Sequence, residues 1–142
     1  MQYKKIAIYY FSGTGNSKNV ALWLSKLAED SQAESKIINI AQTDRLNIEK
    51  PEADALVIFV SPVHGFNYPP VMLHFLFRFP RAKNNVVLMN TRAGMLIGNW
   101  VTPVLSGATF YFASLILALK GFKIKSFFPV NLPSNWISVH PG

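Results

Sequence analysis

The chain has 142 residues, half of them apolar and 13% aromatic, with no cysteine and a formal charge of +7. Such a chain is one domain of ordinary size that can bury a real core, which excludes a disordered segment. Without cysteine it carries no disulfide, thiol nucleophile, thiolate zinc site or iron–sulfur cluster of its own.

Charge is unevenly placed. All seven acids (Glu29, Asp30, Glu34, Asp44, Glu49, Glu52 and Asp54) lie before residue 55, where seven of the fourteen bases balance them. Residues 55–142 hold no acid and carry the whole +7. The asymmetry points to an anionic partner or surface, with simple solubility as the plainer reading and nucleic acid not expected. Lys4 and Lys5 precede only six apolar residues, too few for a secretory signal, so a cytoplasmic address is expected.

Residues 4–11, KKIAIYYF, are rich in strand formers and stop at glycines, which predicts a first strand. From Ser17 the spacing turns helical, with Val20, Leu24, Leu27 and Ala28 on one face and Lys18, Lys26, Glu29 and Asp30 mostly off it. SKIINIA (35–41) predicts strand 2, and the polar stretch 42–54, broken by Pro51, leaves little room for a full helix. ALVIFVS (55–61) is apolar throughout, as expected of a strand covered on both faces. Pro69-Pro70 opens a short helix over 71–79, NNVVLMNT (84–91) predicts strand 4, and KIKSFFPVNL (123–132) strand 5.

Between them, Thr102-Pro103 looks like an N-cap and first helical residue of a helix over 103–120 ended by Gly121. The 27 residues between Arg92 and Lys120 are uncharged and long enough to span a bilayer, but their glycines, proline and hydroxyl residues favour a buried helix. Val104, Leu105, Ala108, Tyr111, Phe112, Leu115, Ile116 and Leu119 form one broad apolar face. The other face (Ser106, Thr109, Phe110, Ala113 and Leu117) is uncharged too. Something is therefore expected to cover this helix: a dimer mate, a missing C-terminal segment or a membrane surface.

Strands alternating with helices predict a doubly wound five-stranded parallel sheet with right-handed crossovers, one domain over residues 1–142. Such sheets bind ligands beyond the carboxyl ends of their strands. That edge carries the loops 11–17, 61–70 and 90–100, which are also the richest in Gly, Asn, Ser, Thr and aromatics. Only ten residues follow Leu132, so the helix that would cover the last strand is expected to be missing. The chain is then a fragment of a longer one, or a second subunit supplies the cover.

The loop after strand 1, YYFSGTGNS (9–17), reads as a phosphate loop. It fails the G-x-x-x-x-G-K-[ST] pattern, and Lys18 stands where G-x-G-x-x-G needs its third glycine. What remains is a set of hydroxyls and amides at a helix N-terminus, where free N–H groups and the helix dipole bind an anion without a cation.

F-S-G-T-G-N-S resembles the FMN phosphate loop of flavodoxins, and the order of elements is similar over most of the chain. With SPVHG and the following Pro-Pro it more closely resembles flavodoxin domains of anaerobic bacteria that precede ferredoxin-like segments. The resemblance implies a strand order of 2-1-3-4-5 and FMN as the cofactor. It implies that Ser12, Gly13, Thr14, Gly15, Asn16 and Ser17 hold the phosphate. Ser61, Pro62, Val63, His64, Gly65 and Phe66 would face the ring, the Gly65 peptide turning to meet the reduced N5–H. Asn90, Thr91, Arg92, Ala93 and Gly94 would meet its pyrimidine edge through backbone N–H groups, with Trp100 and Tyr68 as stacking candidates.

Flavodoxins are usually acidic, whereas this chain has Arg92 and no acid in the second and third loops. Arg92 near N1–C2=O would favour the anionic reduced flavin; otherwise it points to solvent. His64 is a proton-relay candidate or a plain loop histidine, His74 falls in an apolar helix pattern, and His140 is unreadable. No Ser-His-Asp set or metal spacing is visible, and no catalytic residue is assigned. Lys4, Lys5, Lys36, Arg81, Lys83, Lys123 and Lys125 lie at or just before strand starts. They should share the edge about 17 Å from the flavin loops. The expected function is electron transfer to or from a redox partner, with a ferredoxin-like protein as one candidate. A flavin or quinone reductase using NAD(P)H and a flavin-free assembly module are the alternatives.

Overall fold

The computed structural model describes residues 3–12, 15–44, 46–62, 68–93 and 103–132. Strand β1 (Lys5–Tyr10) leads into helix α1 (Asn16–Asp30), then β2 (Glu34–Asn39) and a single 3-10 turn (Ile40–Gln42). Strand β3 (Leu56–Pro62), helix α2 (Pro70–Arg78), β4 (Asn85–Ala93), α3 (Pro103–Leu119) and β5 (Lys123–Leu132) complete the order. All neighbouring strands pair in parallel, in the order β2-β1-β3-β4-β5, as expected of a flavodoxin-like doubly wound sheet. The connection from β2 to β3 holds no α-helix, in line with its polar, proline-broken sequence.

Period-two alternation splits the strands between two cores. Ala7, Tyr9, Val57, Phe59, Val86 and Leu88 point to the face covered by α2 and α3, where Phe75, Phe79, Ala113 and Leu117 pack against them. Ile8, Tyr10, Ile58, Val60 and Met89 point to the face covered by α1, through Val20 and Ala21. Tyr9, Phe59, Phe75 and Phe79 form an aromatic cluster with ring centroids 5.1–5.8 Å apart, mixing stacked and edge-on pairs. β5 meets β4 with a register shift between Val86 and Val87, so Lys125 has no partner residue on β4.

Helix α3 turns a different face inward from the broad apolar one. Phe110, Ala113, Ile116 and Leu117 are buried, whereas Tyr111, Phe112, Leu115 and Leu119 are exposed. With no charged residue between Pro103 and Leu119, hydrophobicity marks neither face. The choice is made by fit: small Ala113 lets the helix approach the sheet, and Phe110 stacks on Phe127 of β5 with centroids 5.1 Å apart. No helix among the described residues is long and apolar enough to cross a membrane.

Two basic side chains close the ends of these helices. Lys120 donates from Nζ to the carbonyls of Phe77 and Phe79 at the end of α2, at 2.7 and 2.6 Å. Arg81, just past α2, donates to the carbonyl of Leu119 at the end of α3, at 3.4 Å. Each cation sits at a helix C-terminus, where the dipole favours it, and each comes from the other helix's side of the junction. Burial, then Arg81, holds the Lys120 ammonium below its ordinary range.

Candidate functional site

The carboxyl ends of β1, β3 and β4 meet the N-terminus of α1, and the site is built from that junction. Gly15 closes the turn with φ +96°, left-handed backbone that glycine adopts without strain, and open space surrounds it where a Cβ would stand. Ser12 folds back so that its Oγ accepts from the Gly15 N–H at 2.8 Å. The Gly15 carbonyl takes the first helical hydrogen bond from Asn19, at 2.9 Å. Among the described residues no side chain caps α1, and its first turn holds no acid. Its leading N–H groups and the positive end of its dipole therefore have no side-chain acceptor among the described residues, the arrangement that suits an anion.

Behind this turn the hydroxyls look inward. Ser17 is 1% exposed, and its Oγ lies 2.8 Å from Thr91 Oγ1 on β4. Ser17 thus anchors the helix through its hydroxyl, which leaves only its backbone N–H at the exposed start of α1. Thr91 and Asn90 stand within β4 rather than in the loop beyond it. Ser61 is fully buried at the end of β3 and donates to the carbonyl of Pro62 at 3.2 Å.

Asn90 pairs with Ser61 across the β3–β4 ladder and is completely buried. Among the described residues neither its Nδ2 nor its Oδ1 has a hydrogen-bond partner. A buried amide left unpaired costs about 1–3 kcal/mol. It stands at the ligand-binding end of a parallel sheet, with one donor and one acceptor unused.

Tyr68 is not available to stack on a ligand. It is 1% exposed, and its hydroxyl donates to the Met89 carbonyl at 2.9 Å. Its ring belongs to the core over β3 and β4, and burial pushes its pKa well above the tyrosine range. Among the other expected site residues, Gly13, Thr14, Val63, His64, Gly65, Phe66, Gly94 and Trp100 lie outside the described residues, as does His140. Arg92 and Ala93 are described only as backbone at the end of β4.

At the opposite edge the basic residues are partly spent on the fold. Lys5 pairs with Glu52, and Lys36 lies 3.7 Å from Glu49. A cleft of about 330 Å³ there is lined by Lys5, Lys36 and Lys50 against Glu34, Glu49 and Glu52, so its charges offset one another. It opens onto Ala7 and Tyr9, on the face away from α1. Asn84, read from sequence only as the start of a strand, is buried and donates to the carbonyls of Glu52 and Ala55 at 2.7 and 2.9 Å. No group of His, Asp and Glu suited to a metal ion occurs among the described residues.

By sequence the chain matches no protein-family model and no curated protein. By structure it resembles the rubredoxin:oxygen oxidoreductase of Desulfovibrio gigas, at TM-score 0.71 and 18% identity over 92% of this chain, and spans 31% of that protein's length. It resembles the two-electron reduced flavodoxin of Megasphaera elsdenii at TM-score 0.67 and 17% identity, over 92% of this chain and 89% of that one. The Fusobacterium nucleatum flavodoxin bound to flavin mononucleotide gives TM-score 0.62 and 16% identity, over 86% and 69%. At these identities the likeness is one of architecture, and it agrees with the strand order and the helix placement: the chain has the flavodoxin fold.

Proposed function

We propose that the chain binds FMN and passes electrons between it and a redox partner protein. One observation carries this reading: the N-terminus of α1, uncapped by any described side chain and free of acids, is presented by the left-handed Gly15 at the carboxyl end of the sheet. The backbone amides of Asn16 and Ser17 would take the 5′-phosphate, with the loop between Ser12 and Gly15 wrapping it. The unpaired Nδ2 and Oδ1 of Asn90 fit the same ligand, because a flavin's pyrimidine ring offers both donors and acceptors. When bound, FMN supplies one- and two-electron redox chemistry, and the protein's part is to hold it and set its potentials. Arg92, at the end of β4, would favour the anionic reduced form, and the potentials of Arg92→Ala test that role.

The test is titration of the flavin-free chain with FMN and with riboflavin, followed by flavin fluorescence. The expected result is quenching by the chain and a preference for FMN of about 100-fold, the phosphate contributing about 2.7 kcal/mol. Absence of flavin binding overturns the reading, and equal affinity for riboflavin overturns the phosphate assignment. Reduction of the bound flavin by NAD(P)H alone would make the chain a reductase instead of a carrier.

A further inference from the structure

We propose that the outer face of the α2–α3 layer rests on a lipid surface rich in anionic headgroups. Helix geometry builds the apolar part of that face. Tyr111, Phe112, Leu115 and Leu119 fall within about 100° of one another around α3. All four are exposed, Tyr111 at 75% and Leu119 at 70%, while Phe110, Ala113, Ile116 and Leu117 take the opposite side against the sheet. Phe77 of α2, 56% exposed, stands where the two helices end together: Lys120 donates to its carbonyl and Arg81 to that of Leu119. This junction adjoins Lys123 at the start of β5, about 30 Å along that strand from Leu132. The exposure therefore belongs to the helices themselves and not to the place where β5 ends.

A helix that faces only water carries charge on its outer side, and α3 has none from Pro103 to Leu119. An uncharged outer face with large aliphatic and aromatic side chains marks an interaction site rather than scattered surface residues. No helix among the described residues is long and apolar enough to cross a membrane, so the contact is interfacial. In such a contact the apolar side chains reach the acyl boundary and the cations stay among the headgroups. Tyr111, with an apolar ring and a polar tip, suits that depth.

Charge selects the occupant. Arg78 and Arg81 are exposed beside the apolar stripe, and Arg78 lines a depression of about 390 Å³ with Leu46, His74 and Phe77. Residues 55–142 hold no acid, so all seven acids belong to α1, β2 and the segments that flank β2. Of the two acids on either side of Leu46, Asp44 accepts from the Leu46 N–H and Asn47 Nδ2, both at 3.0 Å, and Glu49 faces Lys36. They bound the face on its β2 side. The molecule is thus acidic on one side and basic on the other, which turns the α2–α3 layer toward an anionic surface. A second copy has no acid on this face to meet Arg78 and Arg81, whereas anionic headgroups do.

The test is cosedimentation of the full chain with two kinds of vesicle, phosphatidylcholine alone and phosphatidylcholine with an equal part of phosphatidylglycerol. It needs no flavin, so its outcome is independent of the FMN reading. Binding to the anionic vesicles is expected to be about tenfold tighter or more, and to weaken about tenfold between about 50 and about 500 mM salt. Leu119→Glu and, independently, Leu115→Glu should each weaken it by about tenfold, as should Arg78→Glu, which reverses a charge at the surface. Trp23→Glu, at an exposed apolar residue of α1 in the opposite layer, should leave it unchanged. Thermal melts confirm that the variants fold. No binding, equal binding to both vesicles, or binding indifferent to Leu119→Glu and Leu115→Glu overturns the proposal. So does binding lost in Trp23→Glu, which would give the contact to the α1 layer. Self-association in plain buffer that Leu119→Glu abolishes overturns it too, and would give the face to a second copy.

Discussion

Ser17 Oγ and Thr91 Oγ1 lie 2.8 Å apart, buried, and 74 residues apart in sequence. The pair fastens the first turn of α1 to the end of β4, holding the Gly15 turn against the sheet. Ser17→Ala strands the Thr91 hydroxyl and should cost about 1–3 kcal/mol in urea unfolding, as should Thr91→Val. Together the two changes should cost little more than either alone, because each removes the same bond. Fully additive losses would show that the two hydroxyls act separately.

Two left-handed glycines separate backbone strain from close packing. At Gly15, φ +96° with open space around it, alanine brings only the strain of about 1–2 kcal/mol. At Gly121, φ +101°, the added Cβ would stand 2.8 Å from the Ala82 carbonyl oxygen, and backbone cannot swing away as a side chain can. Gly121→Ala should therefore cost more than Gly15→Ala, about 3 kcal/mol or more, by the same unfolding measurement. If FMN is the ligand, Gly15→Ala should nevertheless be the variant that loses flavin affinity.

How much of this was legible depended on whether the signal was local. The apolar run Leu56–Val60 and the glycine-ended run Lys5–Tyr10 announce buried strands, and Pro51 announces that the β2–β3 connection holds no α-helix among the described residues. The glycine turn before α1 was legible for the same reason, since Ser12 and Gly15 act within four residues of each other. Helix α3 was legible as a helix but not in its inward face, because it is apolar all round and the choice depends on Ala113 and Phe110 fitting the sheet. Tyr68, Asn84 and Lys120 act through carbonyls between 21 and 43 residues away. No spacing rule reaches that far.

Two buried tyrosines predict how stability should fall in alkali. Burial, then Glu49, pushes Tyr9 up to about 12, and burial pushes Tyr68 further. Above pH about 10 the unfolded chain releases these protons while the folded chain keeps them, so stability falls as pH rises. The contribution is whole below pH about 10, and for Tyr9 the decline runs to about pH 12, at up to about 1.4 kcal/mol per pH unit. Urea unfolding of the native chain and Tyr9→Phe at several pH values checks this. The variant should match near pH 9 and decline less steeply above it, and parallel curves would refute the assignment.

Asn90 offers the sharpest conflict between stability and function. Its amide is completely buried beneath the carboxyl end of the sheet, with Nδ2 and Oδ1 both unpartnered among the described residues. Asn90→Leu replaces that amide with an apolar group of the same branching, so it should stabilise the flavin-free chain by about 1–3 kcal/mol. If the amide is kept for the flavin's pyrimidine ring, the same change should weaken FMN by about tenfold or more, one lost donor–acceptor pair being worth at least about 1.4 kcal/mol. Riboflavin should weaken equally, because its ring is the same, which separates this effect from damage to the phosphate turn. A variant that gains stability and keeps its flavin affinity would remove Asn90 from the site. One that loses stability would mean that the amide has a structural partner when the chain is in solution.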